Sequence, residues 1–81
     1  MIAVHQTPLQ HTHTPDRACL WEARTTINGQ TYTAQSRHGA VNELARVLVN
    51  AGISDGPMKV TTGNIQGHMM YRSLQEAARS D

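Results

Sequence analysis

The stretch "RTTINGQTYTAQSR" (Arg24–Arg37) decides the fold. Two runs of β-prone residues flank Asn28-Gly29. That dipeptide favours a two-residue type I′ turn, because both central positions of such a turn need positive φ. The turn fixes the pairing. Ile27 lies opposite Gln30, Thr25 opposite Tyr32, Ala23 opposite Ala34, and Trp21 opposite Ser36. Directly opposed residues share a face. One face therefore gathers Trp21, Ala23, Ile27, Tyr32 and Ala34. The other gathers Leu20, Glu22, Arg24, Thr26, Thr31, Thr33, Gln35 and Arg37. An apolar face opposite a polar one is the pattern of an antiparallel sheet covered on one side.

The next segment supplies the cover. In "GAVNELARVLVNAG", Val41, Leu44, Ala45, Leu48 and Val49 recur at helical spacing and form one apolar stripe. Asn42, Glu43, Arg46 and Asn50 take the other side. Gly52 stands where a left-handed residue ends a helix, and Ile53 can close a Schellman-type contact. The helix start falls at Ser36 or Gly39.

"SDGP" is a turn. A short strand follows, with Met58 and Val60 inward and Lys59 and Thr61 outward. "TGNIQG" is a looser turn, and "HMMYR" a further strand that turns either Met69 and Tyr71 or His68, Met70 and Arg72 to the core, the first being favoured because it leaves the charged residue outside. "SLQE" is a capping box: the Ser73 hydroxyl accepts from the Glu76 N–H, and the Glu76 carboxylate reaches back. It predicts a last helix from Leu74 towards Arg79 that packs through Leu74, Ala77 and Ala78. The expected fold is α+β in β-β-α-β-β-α order. It has an antiparallel sheet of three to four strands and one main amphipathic helix on one face.

Residues 1–16 read as a flexible arm before a single domain over 17–81. "HQTPLQHTHTPD" holds two prolines, three histidines and few apolar anchors, and such termini order only when tied down. "MIAV" alone can pair as an edge strand.

Eighty-one residues permit one domain. A chain this size buries about 60–65 % of its unfolded surface, so its core is small. A single cysteine, Cys19, allows no internal disulfide, which fits a reducing, cytoplasmic setting. No apolar run approaches the roughly 20 residues of a membrane span. The first residues show neither a basic n-region nor a long apolar stretch, so no signal peptide is expected.

Several chemistries find few of the residues they need. His11 and His13, two apart in an extended segment, point the same way, and His5 can be a third ligand. No cysteine or carboxylate cluster completes a zinc set, so no metal and no cofactor are expected. Cys19 has no base at motif spacing. Ser36 beside His38 is an ordinary turn pairing, and no carboxylate pair suggests acid–base work. "GNIQG" lacks the lysine and the strand–loop–helix context of a phosphate loop. The chain reads as non-enzymatic.

Binding fits better. The net charge is +1, and six of the seven basic residues are arginine, which suits planar contacts to carboxylates and phosphates. Nucleic-acid binding through an arginine-bearing sheet face is one reading. Sheet-face RNA binders stack bases on exposed aromatics, however, and Trp21 and Tyr32 fall on the covered side. The favoured reading is protein binding through a charge-paired patch, since such patches set orientation and on-rate. Glu22, Arg24 and Arg37 are the candidate partner-binding residues. The hairpin can also pair with its own copy.

The hairpin "WEARTTINGQTYTAQSR" and the single packed helix "AVNELARVLVNAG", in a chain of this size, resemble several small anti-CRISPR proteins. These are phage- and mobile-element-encoded inhibitors of bacterial type I interference complexes. The resemblance spans Leu20 to about Arg79 and is one of size and element order. That class has no shared motif, so no functional residue transfers with it. It implies a stoichiometric inhibitor in the bacterial cytoplasm, acting by occlusion on a Cas subunit at the surface that holds target DNA. A DNA mimic is strongly acidic and this chain is not, so the resemblance implies direct contact with a protein surface.

Overall fold

The Asn28-Gly29 turn closes with φ of 52° and 82°, as a type I′ hairpin requires. It joins β2 (Leu20–Ile27) to β3 (Gln30–Ser36) in the expected register, from Trp21 opposite Ser36 to Ile27 opposite Gln30. The structure is a computed structural model and describes residues 1–9, 20–37, 39–53, 56–63 and 66–79.

The N-terminal expectation is corrected over its first half. Ile2–Leu9 form β1, and β1 is the middle strand of the sheet rather than part of an arm or an edge. It runs antiparallel to β2, with His5 opposite Arg24 and Thr7 opposite Glu22. It runs parallel to β4 (Met58–Thr62), with Ile2 beside Met58 and Val4 beside Val60. The strand passes for a tail because its apolar content is concentrated at one end. Ile2 and Val4 are buried on the covered side, whereas Ala3 and His5 face outward and are exposed. Pro8 is tolerated because the ladder with β4 ends at Gln6 and Thr62. Beyond that point one edge of β1 has no ladder bond for a proline to break. Residues 10–16 lie outside the described residues.

With β5 (Met69–Tyr71) antiparallel to β4, the described strands form one five-stranded mixed sheet in the order β3-β2-β1-β4-β5. The expected α+β class stands. The wholly antiparallel sheet of three to four strands does not, since β1 adds a strand and a parallel pairing. That pairing needs a long crossover, and β2, β3 and α1 (Ala40–Asn50) provide it.

α1 lies over β3 and β2, while α2 (Leu74–Arg79) packs against α1 and β5. Val41, Leu44, Ala45 and Leu48 are buried against Ile2, Val4, Ala23, Met58 and Val60, and Leu74 and Ala77 complete the core. Gly52 ends α1 at φ 85°, with Ile53 N–H donating to Leu48 O at 3.0 Å and Gly52 N–H to Val49 O at 3.0 Å. These are the paired bonds of a Schellman motif. Gly39, in an extended conformation, is the N-cap of α1, and its N–H donates to Ser36 Oγ at 3.2 Å. The expected cap forms, since Glu76 N–H donates to Ser73 Oγ at 3.1 Å, and the Glu76 carboxylate reaches back one residue further than a capping box needs, accepting from the Arg72 N–H at 3.0 Å.

Asn42 departs from its expected place on the polar side of α1. It is buried, and its Nδ2 donates to Ala77 O at 2.9 Å. Arg46 Nε donates to Ala78 O at 3.0 Å. The last carbonyls of a helix have no partner within it. The two α1 side chains fill that need for α2, which at six residues is too short to hold itself.

Candidate interaction face

Both helices cover the same side of the sheet, and strand alternation then assigns every outward residue. The opposite side is laid out in cross-strand rows. Thr33, Arg24, His5 and Thr61 form one row across β3, β2, β1 and β4. Gln35, Glu22 and Thr7 form a second on one side of it. On the other side Thr31 and Thr26 are paired across β3 and β2, and Ala3, Lys59 and Met70 across β1, β4 and β5. The sheet is dished here. A depression of about 520 Å³ is lined chiefly by His5, Thr7, Glu22, Arg24, Lys59 and Thr61.

Glu22 organises the upper part. Its carboxylate accepts from Arg24 Nη2 and from Gln35 Nε2, each at 3.3 Å. The Glu22 side chain is 19 % exposed and the Arg24 side chain 62 %. The carboxylate is thus half-buried, while most of the guanidinium stays available to a ligand. Across β1, His5 Nδ1 lies 2.7 Å from Thr61 Oγ1. The Thr61 hydroxyl is also placed to donate to Val4 O at 3.4 Å. When it does so, it can only accept from His5, whose Nδ1 then carries a proton. Lys59 has no ion-pair partner among the described residues.

The structure brings together two of the three residues singled out in the sequence. Glu22 and Arg24 are in contact on this face. Arg37 is not with them: it follows the end of β3 and lines a separate recess of about 160 Å³ with Gln6, Trp21, Gly39 and Ala40. The alternation that placed Arg37 on the same face as Arg24 stops at Ser36, where the chain bends towards α1. Sequence reasoning missed His5 and Thr7. Their period-2 spacing with Ala3, opposite the buried Ile2 and Val4, was the available signal.

Trp21, Tyr32 and Tyr71 pack towards the helix layer, so among the described residues the open face carries no Trp, Tyr or Phe side chain, and its one aromatic ring is the His5 imidazole. Among those residues there is also no group of three or more His, Cys, Asp or Glu arranged to hold a metal. His11, His13, Cys19 and His38 lie outside the described residues. No described helix is long and apolar enough to cross a membrane. No family model matches the chain, and neither a curated protein nor a solved structure is significantly similar to it.

Proposed function

We propose that this chain is a non-enzymatic protein-binding module whose open sheet face seats an acidic or mixed-charge surface of its partner. The observation that carries this reading is the dished face with an exposed Arg24 and a half-buried Lys59 around a half-buried Glu22. An arginine already oriented by a carboxylate neighbour loses less freedom on binding than an unsupported one, and its planar fork suits a partner carboxylate. Within this reading, the resemblance to small anti-CRISPR proteins nominates a Cas subunit of a type I complex, occluded stoichiometrically in the host cytoplasm. That narrower version rests on the resemblance alone.

Nucleic-acid binding by the same face is the second reading, favoured by Arg24 and Lys59 and opposed by two observations. Glu22 would lie against a phosphate path, and the described face offers a base only the His5 ring, with no Trp, Tyr or Phe platform. Affinity capture of the tagged chain from lysate, with and without nuclease, followed by mass spectrometry, separates the readings. A protein recovered in stoichiometric amount after nuclease treatment supports the proposal. Recovery that disappears with nuclease transfers the face to nucleic acid.

A further inference from the structure

The two edges of the sheet are built differently. β5 is three residues long and is flanked by His68 and Arg72. Short strands and flanking charge are ordinary ways of blunting an edge. β3 has neither. Its seven residues, "QTYTAQS", contain no charge, no proline and no glycine, and its register with β2 runs from end to end without a bulge.

The hairpin turn determines which of its backbone groups face outward. In a two-residue hairpin, the residues flanking the turn, Ile27 and Gln30, exchange both backbone bonds, and the pattern then alternates. Gln30, Tyr32, Ala34 and Ser36 bond towards β2. Thr31, Thr33 and Gln35 therefore direct their N–H and C=O groups away from the sheet, and these have no backbone partner among the described residues.

We propose that the β3 edge is a homodimer interface, in which β3 pairs antiparallel with β3 of a second copy about a two-fold axis at Thr33. A two-fold axis normal to the sheet keeps each face on its own side, so only a residue, not a peptide bond, can sit opposite its own copy. Centring on Thr33 places Thr31 opposite the second copy's Gln35 and Tyr32 opposite its Ala34. It uses every outward backbone group of Thr31, Thr33 and Gln35, and no other centre does so. No like charges are opposed, because β3 has none.

α1 adds an apolar contribution. Asn42 and Arg46 mark its α2-facing flank. Val47, 39 % exposed, lies about 100° further round the helix from Arg46, away from α2 and towards the β3 side. That flank of α1 is the one nearest β3. The proposal is independent of what the open face meets.

Sedimentation equilibrium of the full chain, from micromolar to millimolar concentration, tests it. The expected result is a rise towards twice the chain mass of 8.9 kDa. Thr33 is exposed and bonds outward, so Thr33→Lys and Thr33→Glu leave the β2–β3 ladder intact. A retained circular dichroism spectrum checks this. Each variant alone should lose the dimer, because like charges meet at the axis, and an equimolar mixture should regain it as a heterodimer. A wild-type chain that stays at 8.9 kDa throughout overturns the proposal. So does a dimer that survives both substitutions, or a mixture that fails to regain it.

Discussion

Asn42 shows how a single polar residue joins two elements. It sits next to the apolar stripe of α1, and in sequence it looks like surface. Its acceptor, Ala77 O, is 35 residues further on, so no local pattern signals the contact. Asn42→Ala leaves a buried carbonyl at the end of α2 without its donor, which costs about 1–3 kcal/mol. Hydrogen exchange should show amides of Leu74–Arg79 opening much faster while those of β2 change little. Gly56 is constrained by a close approach. A Cβ there would stand 2.9 Å from Ser73 Cα and 3.3 Å from Leu74 N, both backbone atoms that have no rotamer to yield. Gly56→Ala should cost about 1–3 kcal/mol, as overpacking does. In a chain of this size each kcal/mol lowers the melting temperature by roughly 4–8 °C, which calorimetry resolves.

At the scale of elements, the legible parts were those with strong local chemistry. Asn28-Gly29 gave the hairpin and its register, the Val41–Val49 stripe gave α1, Gly52 gave its end, and "SLQE" gave α2. β1 was not legible, for a physical reason. A middle strand with one open face needs only alternate apolar residues, and here the covered side relies on Ile2 and Val4 before passing to Gln6, whose Nε2 donates to Thr62 Oγ1 at 2.9 Å. A polar residue bonded across to a neighbouring strand carries no hydrophobic signal. Ile2→Ala should cost about 2–5 kcal/mol, a large part of a total stability on the order of 4–12 kcal/mol. Denaturant titration measures it. Removing residues 1–9 should abolish cooperative unfolding, whereas loss of a mere arm would leave the transition unchanged.

The whole molecule is two-sided. Its helices cover one side of the sheet and meet each other through Asn42 and Arg46. Among the described residues no element covers the other side, where Glu22, Arg24, His5 and Lys59 are arranged by strand register. Half of that arrangement could be read in the sequence, because the hairpin carries both Glu22 and Arg24. The half contributed by β1 and β4 depends on a parallel pairing between segments more than fifty residues apart, and local pattern cannot express it. The proposed role depends on the face and not on the net charge. Binding should therefore weaken with salt only as far as the few charge pairs at Arg24 and Lys59 require, without the steep slope of phosphate neutralisation.

The most direct measurement of that role is titration calorimetry of the captured partner with three proteins: wild type, Arg24→Glu, and Gln75→Glu as a control on the exposed surface of the helix layer. Arg24 is exposed and its ion pair with Glu22 is worth at most about 1 kcal/mol to the fold, so the first variant should remain folded. The account predicts that Arg24→Glu weakens binding at least about tenfold, on the order of 1.4 kcal/mol, while Gln75→Glu binds as wild type does. Equal affinity for wild type and a folded Arg24→Glu would contradict it and remove the open sheet face from the interface.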